Sequence, residues 1–186
     1  MNRLVISYLA LRQAVGWVGM VLPFVLALGG WLIGLDIQSS ISSYYHTVLR
    51  DIFVGSLCSI GVFLLCYKGH DRQDAVAGDV AGTAAIGAAI CPITPDSPSS
   101  PDEFMGVLHV VFAVTFFLAL AYFSFCLFTR TEQGKPLTGR KRCRNWIYRI
   151  CGGLIVLALI LIAAVTQLPD VAARVKHLDP IIFWLE

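Results

Sequence analysis

The chain has 186 residues, of which 57% are hydrophobic and 14% charged, with a formal net charge of +2 and a mean hydropathy of +0.74. That apolar share exceeds the roughly 45–50% of soluble domains, so the composition argues against a water-soluble globule and for an integral membrane protein. A charge this close to balance gives no indication of a nucleic-acid partner.

Five long uncharged runs organise the chain: 14–35, 52–67, 80–95, 104–129 and 150–169. A spanning helix needs about 20 apolar residues, within a range of roughly 17–25, and the first, fourth and fifth runs meet this outright. The second reaches it by taking in Arg50 and Asp51, the third by extending back through Asp79 to Ala75. Polar groups at those ends must snorkel, pair or face a bundle interior.

The first run follows Arg3 and Arg12. It is longer than the roughly 7–15-residue core of a secretory signal and reads as a retained span, with Pro23 a tolerated kink. After it comes SSISSYYHTVLRD, residues 39–51, a polar island between greasy segments. Ser39, Ser40 or Ser42 is expected to cap a helix that runs on through this stretch into the second span. On such a helix Ser42, His46 and Arg50 share one face, with Thr47 and Asp51 about a third of a turn away. A histidine acting as base or ligand needs a carboxylate or carbonyl to fix its tautomer, and here that group must come from another helix.

The third segment is built from small residues. Gly78 and Gly82 are spaced for one face, as are Ala77, Ala81 and Ala85, so neighbouring backbones can approach closely and this becomes the expected central helix. Pro92 and Pro95 are expected to end it. Asp79 reads as an interfacial carboxylate within reach of Arg72 or Lys68, or alternatively as an ion site. The fourth segment is long and aromatic, with His109 near its outer end, expected as a hydrogen-bonded packing residue or as a ligand.

The run GRKRCRNWIYR before the fifth segment reads as a topology determinant, with Trp146 and Tyr148 anchoring the helix start. At the end, DPIIFWLE begins a new helix with only six residues after Pro180. It is expected to be either a sixth span begun and cut short or an interfacial foot with Phe183 and Trp184 in the headgroups. The six cysteines include no CxxC motif; Cys58, Cys66, Cys91, Cys126 and Cys151 fall inside or at the inner edges of spans and Cys143 in the basic loop, and free buried thiols are expected.

Basic residues alternate between connections. Under a five-span reading, 11 of the 14 fall on the side of the N-terminus, and Arg50, Arg174 and Lys176 on the other. Positive charge marks the cytoplasmic face, so the N-terminus is expected inside and residues 39–51 outside. The expected fold is all-α: one transmembrane helical bundle over residues 1–186, with five spans and a sixth begun at the C-terminus.

The leading functional expectation is non-enzymatic. Ser42, Tyr44, Tyr45, His46, Arg50 and Asp51 would line an outward-facing polar and aromatic pocket for a lipid headgroup, small ligand or partner protein, with no cofactor. Arg50 would hold an anionic group, and the tyrosines would supply walls and hydroxyls. An alternative is a zinc-dependent membrane lipid hydrolase with His46 and His109 as metal ligands, where Ser42 or an outer carboxylate such as Asp102, Glu103, Asp170 or Asp179 holds the water and His177 lies nearby. A second alternative is a small transporter or channel, hinted at by Asp79 and Pro23, without a visible internal repeat. Self-association or a membrane partner protein is expected because five thin spans shield little interior.

Four stretches carry a resemblance: LRQAVGWVGMVLPFVLALGGW, SISSYYHTVLRDIFVG, GVFLLCYKGHDRQD and AGTAAIGAAICP. They look like a family of small uncharacterised bacterial multi-pass membrane proteins. The resemblance covers most of the chain, implies a bacterial inner-membrane location and a final span opening at an FWLE-like segment, and brings no assigned activity. Ser42 and His46 also resemble, more loosely, the serine placed four residues before a zinc-binding histidine in ceramidase and adiponectin-receptor-like membrane hydrolases. Those proteins have seven spans and a later paired-histidine motif, whereas here Asp51 follows on the same segment and His109 is followed by VVFA.

Overall fold

The computed structural model describes residues 2–67, 72–95, 99–130, 139–167 and 179–185, with side chains described outside 2–12 and 179–181. Among these, all regular structure is helical. The α-helices are α1 (Asn2–Leu32), α2 (Arg50–Leu65), α3 (Arg72–Ile90), α4 (Ser100–Tyr122), α5 (Gly139–Gln167) and α6 (Asp179–Leu185). A short 3-10 helix, Ser42–His46, precedes α2, and a π-helical turn, Phe123–Leu127, ends α4.

Three helices are long and apolar enough to cross a membrane: α1 over Gln13–Leu32, α4 with its π turn over Ser100–Leu127, and α5 over Gly139–Gln167. Their outward faces carry Trp17, Phe24, Leu28, Val107, Leu118, Leu154 and Ile160, each at least half exposed. An apolar exterior on this scale would drive aggregation in water and matches a hydrocarbon solvent. α2 has 16 residues, and the 19-residue α3 owes its lower hydropathy to Arg72, Gln73, Asp74 and Asp79, while its glycines and alanines let it pack.

Packing follows chain order: α1 lies on α2, α2 on α3, α3 on α4 and α4 on α5. α3 occupies the centre, as its small residues lead one to expect. Its Ala81, Ala85 and Ala89 are fully buried. At the α2–α3 crossing a side-chain carbon on Gly82 would stand 2.6 Å from the Gly61 carbonyl oxygen, and one on Gly61 would stand 2.8 Å from that of Gly82. Two hydrogens therefore set the helix separation, the close approach that small residues allow in membrane bundles.

The core has two parts. One lies among α2, α3 and α4, with Ile60, Ala81, Ala85, Phe116 and Phe123 buried together. The other joins α1 to the 3-10 helix through Leu22, Leu26, Tyr44, Phe53 and Phe183. α1 ends in a Schellman turn: Leu35 N–H donates to Gly30 O at 2.9 Å, Gly34 N–H to Trp31 O at 3.2 Å, and Gly34 takes φ +75°.

Three sequence expectations need revising. Residues 42–50 do not form one helix: the 3-10 helix stops at Thr47, which is extended at φ −115° and ψ 173°, and α2 starts at Arg50. Phe183 does not sit in an interface but is fully buried, its ring 5.8 Å from that of Tyr44, while the Trp184 ring lies 5.7 Å from Phe24. All six cysteines are free, yet of the five expected within or beside spans only Cys91 is buried, Cys58 being half-buried and Cys66, Cys126 and Cys151 facing outward.

Candidate functional site

The site forms where α3 stops. A helix leaves its last four carbonyls without internal partners. Here Pro92 and Pro95 have no N–H to offer the carbonyls four residues back, those of Ala88 and Cys91, and the final helical bond runs from Cys91 N–H to Gly87 O at 2.9 Å. Side chains from two other elements take up the exposed carbonyls.

From the 3-10 helix, His46 donates Nε2–H to Ile93 O at 2.7 Å, and Tyr45 directs its hydroxyl to Ile90 O at 3.5 Å. From α4, the buried His109 donates Nδ1–H to Cys91 O at 2.8 Å. Because a carbonyl only accepts, each bond fixes a tautomer, with the hydrogen on Nε2 of His46 and on Nδ1 of His109. The partner each histidine requires is thus a backbone carbonyl. Gly106 permits this geometry, since a side-chain carbon there would collide with Thr94 and lift residues 92–95 off α4.

Local hydrogen bonding explains how the 3-10 helix presents these groups. The N-cap position of the 3-10 helix is Ile41 and no serine side chain caps it; Ser40 Oγ instead accepts from Ser43 N–H at 3.0 Å in the turn before it, and the Ser40 and Ser43 hydroxyls pair at 2.8 Å. Thr47 Oγ1 donates to Tyr44 O at 2.8 Å and accepts from Leu49 N–H at 3.2 Å, turning the chain into α2. The turn brings Arg50 back over Tyr45. The guanidinium carbon lies 4.3 Å from the ring centroid, and Nη2 donates to the Tyr45 hydroxyl at 2.6 Å. The imidazole of His46 meets the same ring edge-on at 5.4 Å.

Tyr45, His46 and Arg50 therefore form one connected group, with His46 and Arg50 exposed. Asp102, in the first turn of α4, accepts from Ser99 N–H at 2.9 Å as part of a capping box. Ser42 is half-buried in the 3-10 helix, and Asp51 is exposed in the first turn of α2, where its charge favours the helix N-terminus.

Tyr44 stands apart from this group. Its side chain points inward, fully buried, and its hydroxyl makes no hydrogen bond of ordinary geometry. Burial pushes its pKa up, an effect that the nearby Gln38 backbone only partly opposes.

Lys68, Asp170 and His177 lie outside the described residues, as does the side chain of Asp179. Among the described residues no three His, Cys, Asp or Glu side chains gather as a metal-holding group. Asp79 is exposed on α3.

One cluster is absent from the sequence reading. At the opposite end of α3, the buried Asp74 pairs with Arg130 at 3.4 Å, and Arg130 also donates Nη2–H to Gln73 Oε1. Fifty-six positions separate Arg130 from Asp74, and no periodicity links them. Comparison with protein-family models, with curated proteins and with solved structures finds no match.

Proposed function

We propose that this chain is a bacterial inner-membrane bundle of five spans, N-terminus in the cytoplasm, that binds an anionic group at its outer end through Arg50, Tyr45 and His46. The ligand class is a phosphate- or carboxylate-bearing headgroup, small molecule or partner segment. Arg50 carries the proposal: its guanidinium is held in place by the face and the hydroxyl of one tyrosine, while its side chain stays exposed. A fork oriented in advance loses less freedom on meeting an oxyanion, and bidentate pairing is what arginine does best.

Five spans are supported by packing and length. α3 rises about 28 Å over its 19 residues and lies between α2 and α4, and α4 is itself long enough to cross. The bond from Asp74 to Arg130 ties together the end at which Arg72, Arg130 and the basic start of α5 collect. Positive charge at that end favours a cytoplasmic assignment, which turns Arg50 outward.

The test is titration of the detergent-purified full chain with glycerol phosphate, followed by calorimetry. Saturable binding that is lost in Arg50→Ala and weakened in Arg50→Lys is expected. Equal affinity in Arg50→Ala removes the proposal.

The zinc-hydrolase reading draws on a different observation. His46 and His109 each donate one ring N–H to a backbone carbonyl, the kind of contact that orients metal-bound histidines. Stoichiometric zinc by elemental analysis, lost in His109→Ala, would favour it. Sub-stoichiometric metal after zinc supplementation counts against it.

A further inference from the structure

A second feature lies at the other end of α3, away from Arg50. An open groove of about 630 Å³ runs between α3 and α4. Ala77 and Ala119, both nearly buried, form its floor, and the half-exposed Val80 and Leu118 its walls. Thr115, also in the lining, turns its hydroxyl to Val111 O at 2.7 Å, so its polarity is spent within α4. The volume is in the range of about 300–1,000 Å³ typical of ligand sites. Polar side chains in the lining collect at one end, where Arg72, Gln73 and Tyr122 stand.

Charge at that end is unbalanced. Asp74 is committed to Arg130, and Gln73 accepts from the same arginine, whereas Arg72 is exposed and makes no ion pair among the described residues. An apolar trough capped by one cation is complementary to a molecule with a long hydrocarbon tail and a single anionic head. Basic pockets between spanning helices on the cytoplasmic side are built to hold anionic lipid headgroups.

We infer that the α3–α4 groove is a binding site for an anionic phospholipid, with one acyl chain over Ala77 and Ala119 and the phosphate at Arg72. This site differs from the Arg50 cluster in requiring an acyl chain.

The test is native mass spectrometry of the full chain released from nanodiscs of phosphatidylglycerol or phosphatidylcholine with identical acyl chains. The wild type should retain phosphatidylglycerol in preference to phosphatidylcholine by about fivefold, the effect of one basic group near an anionic head. Arg72→Gln should abolish the preference, and Arg142→Gln, which removes an exposed cation at the start of α5, should keep it. Ala119→Phe, which fills the floor, should lower retention of both lipids, and Val80→Trp provides a wall-side substitution should the floor variant fail to fold. Glycerol phosphate, lacking a tail, should not displace the lipid. Equal retention of the two lipids, a preference that survives Arg72→Gln, a preference lost in Arg142→Gln instead, or a lipid-free dimer showing that a second copy covers the groove would each overturn it.

Discussion

His109 on α4 and Cys91 at the end of α3 are joined by a buried 2.8 Å hydrogen bond from the imidazole Nδ1 to the backbone carbonyl. It closes a helix terminus that proline has deprived of amides, and His46 does the same from the other side at Ile93. The two histidines therefore have unequal structural weight, because only His109 is buried.

That inequality is measurable. His109→Ala should cost about 1–3 kcal/mol, the penalty of leaving a buried carbonyl unpaired plus lost packing, whereas the exposed His46→Ala should cost less than about 1 kcal/mol. Thermal unfolding in detergent compares them. Equal losses would mean that the two bonds do not differ by burial.

Gly82 should tolerate nothing larger. Gly82→Ala places a carbon against the Gly61 carbonyl and the Leu65 amide, both backbone, so α2 and α3 must separate. A loss of about 2–4 kcal/mol is expected, since over-packing costs about 1–3 kcal/mol where side chains can yield and more where they cannot. Gly55→Ala is the control, with nothing within 4 Å of the added carbon. Similar stability in the two variants would contradict the packing described.

Tyr44 sets an alkaline limit. Its folded-state pKa is raised above the ordinary 10.0 by burial. The stability that the neutral phenol carries is therefore fully present below pH 10 and is lost as pH rises through the raised folded value. Tyr44→Phe should flatten unfolding profiles above pH 10. At neutral pH it should be neutral or stabilising by about 1 kcal/mol, because a buried hydroxyl without a good partner is removed. An unchanged alkaline profile would place the hydroxyl in contact with water.

Phe183 should matter more than its position near the end of the chain suggests. It is fully buried among Leu22, Leu26, Tyr44 and Phe53. Phe183→Ala should cost about 3–5 kcal/mol, against little change for Trp184→Ala, whose side chain is half exposed.

Much of this helical fold is legible in the sequence because long apolar helices and close helix packing leave simple residue patterns. Long apolar runs mark α1, α4 and α5, glycine and alanine spacing marks the central α3, and Pro92 marks its end. The site is harder to read. Helical periodicity places His46 and Arg50 on one face, but Thr47 breaks that helix and the contact passes through Tyr45 instead. The histidines' partners are backbone carbonyls, which no residue pattern encodes. Tyr44 and Tyr45 are adjacent and chemically identical, yet a 3-10 turn sends one into the core and the other to Arg50. Arg130 and Asp74 meet only because α3 and α4 run side by side.

In the proposed five-span bundle the Arg50 cluster and the basic start of α5 lie on opposite faces of the membrane. Single-cysteine chains retaining Cys143, or carrying Ser43→Cys with the native cysteines replaced, should be treated in intact cells with a membrane-impermeant maleimide. Labelling at position 43 without permeabilisation, and at position 143 only after it, is the expected result. The reverse pattern, or labelling of both from one side, would contradict the account.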